Sequence, residues 1–266
     1  MYQLSYVRPD SLAQALAFLD EHPDAKALSG GMTLVPTLKQ RLAAPSHLVD
    51  LSRLAELRGV TLTGGVLRIG AGTRHADVAA SGIVANAIPA LAALAGLIAD
   101  PQVRNRGTMG GSVANNDPAA DYPAAVLGLG ATVVTSARRL PADDFFVDMF
   151  ETALAPGELV VAIEFPLPRR AAYCKYRHPA SGYALAGVFV AEFDELVRVA
   201  VTGAAPSVFR WREAERALEA DCGTAALDGL AIDPGLMLDD ERVPARYRAN
   251  LVEVFTRRAV AAMTGA

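Results

Sequence analysis

The stretch Asp100-Pro-Gln-Val-Arg-Asn-Arg-Gly-Thr-Met-Gly-Gly-Ser-Val-Ala-Asn-Asn-Asp-Pro-Ala-Ala-Asp121 decides how this sequence is read. A polar, glycine-rich passage of such length inside a compact domain is either functional or disordered. An apolar helical pattern, Tyr122 to Leu129, and an apolar strand, Ala131 to Thr135, follow at once, which favours function. The centre of the passage, Gly107-Thr108-Met109-Gly110-Gly111-Ser112, has an upstream counterpart in Ser29-Gly30-Gly31-Met32-Thr33, adjoined by Leu34. Glycines bring backbone N–H groups close to a ligand, and consecutive ones form a concavity for an anion. Two such loops with small hydroxyl side chains can grip a pyrophosphate from both sides, so a dinucleotide is the expected ligand.

The segments around these loops alternate in type. Leu4 to Val7, Lys26 to Leu28 and His47 to Asp50 read as strands, with helices from Ser11 and from Leu34 to Arg41 between them. Ser11 and Gln14 have capping-box spacing. Thr63-Gly64-Gly65 between Val60-Thr61-Leu62 and Val66 to Ile69 is a hairpin signature. Helical patterns cover His75 to Ala80 and Pro89 to Leu97. After Leu159 come four strand patterns, Leu159 to Phe165, Ala171 to Arg177, Ala184 to Phe193 and Leu196 to Thr202; helices at Glu213 to Ala220 and Pro244 to Met263 close the chain. The fold class is α+β, with expected domains at 1–55, 56–166 and 167–266.

Composition removes several function classes. The 266 residues are 52% hydrophobic, but 51 of them are alanine, so the chain is alanine-rich rather than membranous. The apolar run Ile83 to Ala99 is interrupted by Asn86, Pro89 and Gly96 and is too short for a bilayer. No signal peptide is indicated at the N-terminus, and the expected compartment is the cytoplasm. With 25 basic and 29 acidic residues and no charge run, no nucleic-acid surface is expected. Cys174 and Cys222 stand far apart, which disfavours a zinc site, a self-contained iron–sulfur cluster and a disulfide framework; two buried free thiols are expected. The four histidines are scattered, so no metal ligand and no catalytic residue is assigned.

Other motifs are weaker. Gly70-Ala71-Gly72-Thr73-Arg74-His75 follows a strand but lacks the third glycine of a nicotinamide fingerprint, and Ala92 stands where an acidic residue is required. It reads instead as a strand-to-helix turn capped by Thr73. In Asp117-Pro118-Ala119-Ala120-Asp121, Asp121 either caps the following helix or offers a carboxylate to ribose or ribityl hydroxyls. Lys175, one of only three lysines, lies between tyrosines on a strand pattern. It is either part of a solvent face or a point charge over an electron-accepting ring.

Five segments occurring in order carry a family resemblance: Ser29 to Pro36 with Lys39, Arg41 and Asp50; Ile69 to His75; Asp100 to Ser112; Asp117 to Asp121; and Lys175-Tyr-Arg-His-Pro-Ala-Ser-Gly-Tyr-Ala-Leu-Ala-Gly187. The chain resembles, from about Tyr2 to Met263, the FAD-binding medium subunit of the molybdenum-containing hydroxylases, the carbon monoxide dehydrogenase and xanthine dehydrogenase family. The resemblance implies a two-subdomain FAD-binding domain of the vanillyl-alcohol-oxidase (PCMH) type plus a C-terminal three-stranded antiparallel sheet with helices. It places FAD pyrophosphate against Ser29, Gly30, Gly31, Met32 and Thr33 on one side and Thr108, Gly110 and Gly111 on the other, with Leu34, Ser112 and Asp117 alongside. It favours the hydroxyl-binding role for Asp121 and puts Ile98, Val160, Lys175 and Tyr183 near the flavin ring. Met32 departs from the family's usual Gln or His and offers only its backbone N–H.

The resemblance further implies an electron-transfer subunit. A large molybdopterin subunit would oxidise substrate, a small iron–sulfur subunit would relay electrons through two [2Fe–2S] clusters, and this chain would pass them from FAD to an external acceptor. The assembly implied is a dimer of heterotrimers. Two other readings stay open at the level of sequence, a stand-alone FAD-dependent oxidase or dehydrogenase and a FAD-less assembly or scaffold paralogue.

Overall fold

The computed structural model describes residues 1–265. Three larger sheets follow one another along the chain. The first is parallel, with Ser5–Val7 and Lys26–Leu28 on either side of His47–Asp50. Parallel strands need crossover connections; helix Leu12–Glu21, which buries Ala15 and Leu19, joins the two outer strands. Ser11 caps that helix through Gln14 N at 3.2 Å, and the Gln14 side chain accepts from Asp10 N at 2.9 Å. The short helix Leu34–Lys39 completes the alternating pattern expected from the sequence.

The second sheet is antiparallel, in the order Val60–Thr63, Val66–Gly70, Val160–Pro166, Thr132–Thr135, Arg139–Pro141. Gly64 and Gly65 both have positive φ, +57° and +77°, which a two-residue hairpin of type I′ requires. The third sheet pairs Arg170–Arg177, Ala184–Glu192 and Val197–Thr202. It matches the three strands implied by the resemblance, and a two-residue strand, Phe209–Arg210, extends it by a fourth. Helices Ala245–Thr264 and Arg212–Ala220 cover it and place small residues such as Ala249, Ala259 and Ala214 in that core.

Helix Tyr122–Gly128 joins the second and third sheets. All seven of its residues are buried, and its core runs from Leu67 and Ile69 on one sheet to Phe189 and Ala200 on the other. Gly128 permits this approach, since a Cβ there would meet the Phe189 ring at 3.0 Å.

Three local expectations need correction. The passage 100–121 is not irregular, because it forms helices Pro101–Arg104 and Met109–Asn115. Each is nucleated by a side-chain cap, Asp100 to Val103 N at 2.9 Å and Thr108 to Gly111 N at 3.3 Å. Such caps satisfy end N–H groups that glycine-rich composition alone would leave exposed to solvent. Thr73 caps nothing; its hydroxyl is bonded to the Gly59 backbone, and Arg74 stands at the N-cap of His75–Ala80. Asp121 makes no capping bond either.

Both cysteines are free and half-buried. Among the described residues no helix is long and apolar enough to cross a membrane. Exposed apolar side chains do gather on the hairpin Phe146–Asp148 and Glu151–Thr152, where Val147, Met149 and Phe150 are 56%, 43% and 58% exposed.

Candidate FAD site between two glycine loops

The loop after Lys26–Leu28 turns at Gly31, whose φ is +73°. The consequence is a run of backbone N–H groups on one concave surface. From Gly30 to Leu34, none of them finds an acceptor among the described residues. Unpaired N–H groups at a partly closed surface are costly unless something accepts from them, and their summed dipoles favour an anion. The loop is fixed against the second one. The Ser29 and Thr108 hydroxyls lie 3.0 Å apart, and a Cβ at Gly30 would overlap the Arg106 carbonyl. Between them opens a cavity of about 760 Å³.

The second loop uses its glycines differently. Gly110 N donates to Ala71 O at 2.8 Å and Met109 N to Thr73 O at 3.0 Å, so neither N–H is free for a ligand. A Cβ on Gly110 would overlap Ala71, so Gly110 is glycine because the helix packs onto the 71–73 segment. Gly111 is exposed on the cavity wall, where only the capping Thr108 hydroxyl lies near it.

Every sequence-predicted site residue except Lys175 lines this cavity: Ser29, Gly30, Gly31, Met32, Thr33, Leu34, Ile98, Thr108, Gly110, Gly111, Ser112, Asp117, Asp121, Val160 and Tyr183. A model of the FAD binding domain in molybdopterin dehydrogenase matches residues 2–168. The chain belongs to this molybdopterin dehydrogenase FAD-binding family. The glyceraldehyde dehydrogenase medium chain of Sulfolobus acidocaldarius is 35% identical over 97% of each chain. The carbon monoxide dehydrogenase medium chain of Afipia carboxidovorans is 37% identical over 96% of this chain and 94% of its own. In three dimensions the chain matches a structure of reconstituted CO dehydrogenase from Oligotropha carboxidovorans with a TM-score of 0.92 at 34% identity, covering 99% and 98% of the two chains.

The cavity fits the cofactor of this FAD-binding family. A free N–H run suits a pyrophosphate, small hydroxyls flank it, and the apolar side chains of Leu19, Ala25, Leu51 and Leu57 line the same cavity. Ile98 and Val160 add further apolar wall.

Lys175 is neither a solvent-face residue nor open to the cavity. Its side chain is 2% exposed and its Nζ lies 2.8 Å from Asp121, itself 3% exposed. The Tyr173 hydroxyl donates to the same carboxylate at 2.5 Å, and Lys175 also donates to Leu97 O at 3.1 Å. Burial pushes the Asp121 carboxyl up, and Lys175 and Tyr173 pull against it. Burial raises the Tyr173 hydroxyl well above its ordinary value, so it stays a donor. Asp121 thus presents an oriented carboxylate at the cavity wall, with Lys175 held behind it.

Sequence reasoning missed two parts of the wall. His75 lines the cavity, its ring pressed against Gly107, where a Cβ would come 2.6 Å from Nε2. Burial, with help from nearby Arg104, pulls its pKa down to about 4, so the imidazole is neutral. Its Nδ1 and the neighbouring Tyr122 hydroxyl are both buried without a partner. The one sequence signal was its position directly after the Gly-x-Gly-Thr-Arg turn. The second part is 154–158, a loop anchored by Glu158, whose carboxylate accepts from Thr135 at 2.5 Å, from Arg138 at 3.0 Å and from Ala155 N at 2.8 Å. Nothing in its composition marks it as ligand-facing.

Proposed function

We propose that this chain is the FAD-carrying electron-transfer subunit of a molybdopterin- and [2Fe–2S]-containing hydroxylase or dehydrogenase. The observation that carries the reading is the run of five backbone N–H groups, Gly30 to Leu34, without protein acceptors at the mouth of a dinucleotide-sized cavity. Those groups and the hydroxyls of Ser29, Thr33, Thr108 and Ser112 would hold the pyrophosphate. Asp117 and Asp121 would take sugar or ribityl hydroxyls, and Ile98, Val160 and Tyr183 would border the ring. Flavin supplies the ability to accept electrons singly and release them in pairs. The chain's own work is to hold it, exclude water from its apolar side and keep Asp121 in one orientation through Lys175 and Tyr173. The three domains would fall at 1–55, 56–166 and 167–266, with the cavity between the first two.

With only two cysteines in the chain, the clusters and the molybdenum centre belong on a small and a large partner subunit, and the electrons leave to an external acceptor. The relatives support this division of labour. Their complexes are named for glyceraldehyde, carbon monoxide and nicotine, while their medium chains stay 33–37% identical to this one. Substrate choice therefore lies on another subunit. A dimer of heterotrimers in the cytoplasm is the proposed assembly, and the apolar hairpin bearing Val147, Met149 and Phe150 is the kind of surface such assembly covers. Tagged purification from the native cell should bring down two further subunits with iron and molybdenum. A lone yellow chain free of both metals would contradict the complex.

A further inference from the structure

The turn leaving helix Pro89–Gly96 runs along the cavity as Leu97-Ile98-Ala99, with Ile98 and Ala99 on its wall. Ala99 has φ +44°, a left-handed conformation that costs a non-glycine residue free energy unless its surroundings impose it. The last carbonyls of a helix have no partner within it. Here three consecutive carbonyls each accept from a cation. Lys175 Nζ donates to Leu97 O at 3.1 Å, and Arg104 Nη1 donates to both Ile98 O at 2.8 Å and Ala99 O at 2.9 Å. The two cations differ in setting. Lys175 is neutralised by Asp121, whereas Arg104 has no carboxylate within ion-pair distance among the described residues. Arg104 is brought to the turn by helix Pro101–Arg104, which begins directly after it under the Asp100 cap.

We propose that Arg104 is a positioning residue that holds the strained Ile98–Ala99 turn and thereby fixes where Ile98 meets the flavin ring. This rests on the reading of the cavity as the FAD site. One guanidinium nitrogen shared by two adjacent carbonyls fixes their relative direction, which a single-acceptor bond does not. Without it Ala99 relaxes out of the left-handed region and Ile98 leaves the wall with it.

The test uses the full chain purified with its accompanying subunits, deflavinated and titrated with FAD. Arg104→Gln should raise the Kd for FAD about tenfold, equivalent to one charge-assisted hydrogen bond, and should blur the fine structure of the bound flavin's visible band. Adding Ala99→Gly should restore both readouts, since glycine occupies φ +44° without a clamp. Arg104→Lys should recover part of the affinity. Wild-type affinity and spectrum in Arg104→Gln overturn the proposal, and so does a loss that neither Ala99→Gly nor Arg104→Lys repairs. A wild-type chain that binds no FAD would instead refute the parent reading of the cavity.

Discussion

Lys175 and Asp121 form an ion pair of 2.8 Å from which solvent is almost wholly excluded. The pair ties the third sheet to the helix Tyr122–Gly128 and so to the cavity. Breaking a buried pair by removing one partner costs about 3–5 kcal/mol, because the survivor stays charged and desolvated. Lys175→Met should therefore lower the chain's unfolding free energy by that order in denaturant melts. The double variant Lys175→Met/Asp121→Asn should recover most of it. An unchanged denaturation midpoint in Lys175→Met would show that the charge is not confined as described.

Gly110 and Gly111 are neighbours with separable roles. Gly110→Ala must push its new Cβ into Ala71, so it should cost about 1–3 kcal/mol of stability. Gly111→Val loses at most part of the Thr108 cap, about 1 kcal/mol, but places a bulky group on the cavity wall. Its fold should survive while FAD retention is abolished. Equal FAD content in Gly111→Val and wild type would remove the pyrophosphate from this loop.

His75 makes stability depend on pH. Its folded pKa is about 4 against an ordinary 6.5, so the folded state favours the neutral ring. The associated stability is complete above pH 6.5 and is lost as pH falls through 4, reaching about 3 kcal/mol. Comparing wild type with His75→Gln between pH 7 and 4.5 isolates this contribution from the carboxylates. The wild type should lose more stability than the variant over that interval, and parallel curves would contradict a buried neutral imidazole.

Glu158 runs in the opposite chemical sense with the same pH direction. Arg138 and the surrounding donors hold its carboxyl down at about 2. The stabilisation is present above the ordinary value of 4.5 and disappears as pH falls through 2. At neutral pH Glu158→Gln should loosen the 154–158 loop and cost about 2 kcal/mol, allowing for the half-exposed Arg138. Faster amide exchange confined to that loop would be the signature; uniform exchange rates would deny it an anchoring role.

Local pattern made much of the fold legible. Strand alternation, the Gly64-Gly65 hairpin and the Ser11 cap depend on near neighbours, and each appears where the sequence implied it. The passage around Gly107 to Ser112 was legible as a site but not as helix, because its glycine-rich composition hides the local Thr108 cap and its packing on Ala71 is tertiary. The same limit explains Lys175. Flanking tyrosines suggested an open ring contact, but the residue that fixes its position, Asp121, lies 54 positions away. His75 was missed because a lone histidine after a turn carries no marker of burial. The wall at 154–158 was missed because its role depends on Glu158 reaching Thr135 and Arg138.

FAD in the cavity between the two glycine loops is the assignment on which every functional role proposed above depends. Its most direct test is the flavin content of the native protein, released by denaturation and compared with the concentration of this chain. One FAD per chain is expected, released as intact dinucleotide and lost in Gly111→Val. A colourless native protein that stays flavin-free after incubation with FAD would contradict it.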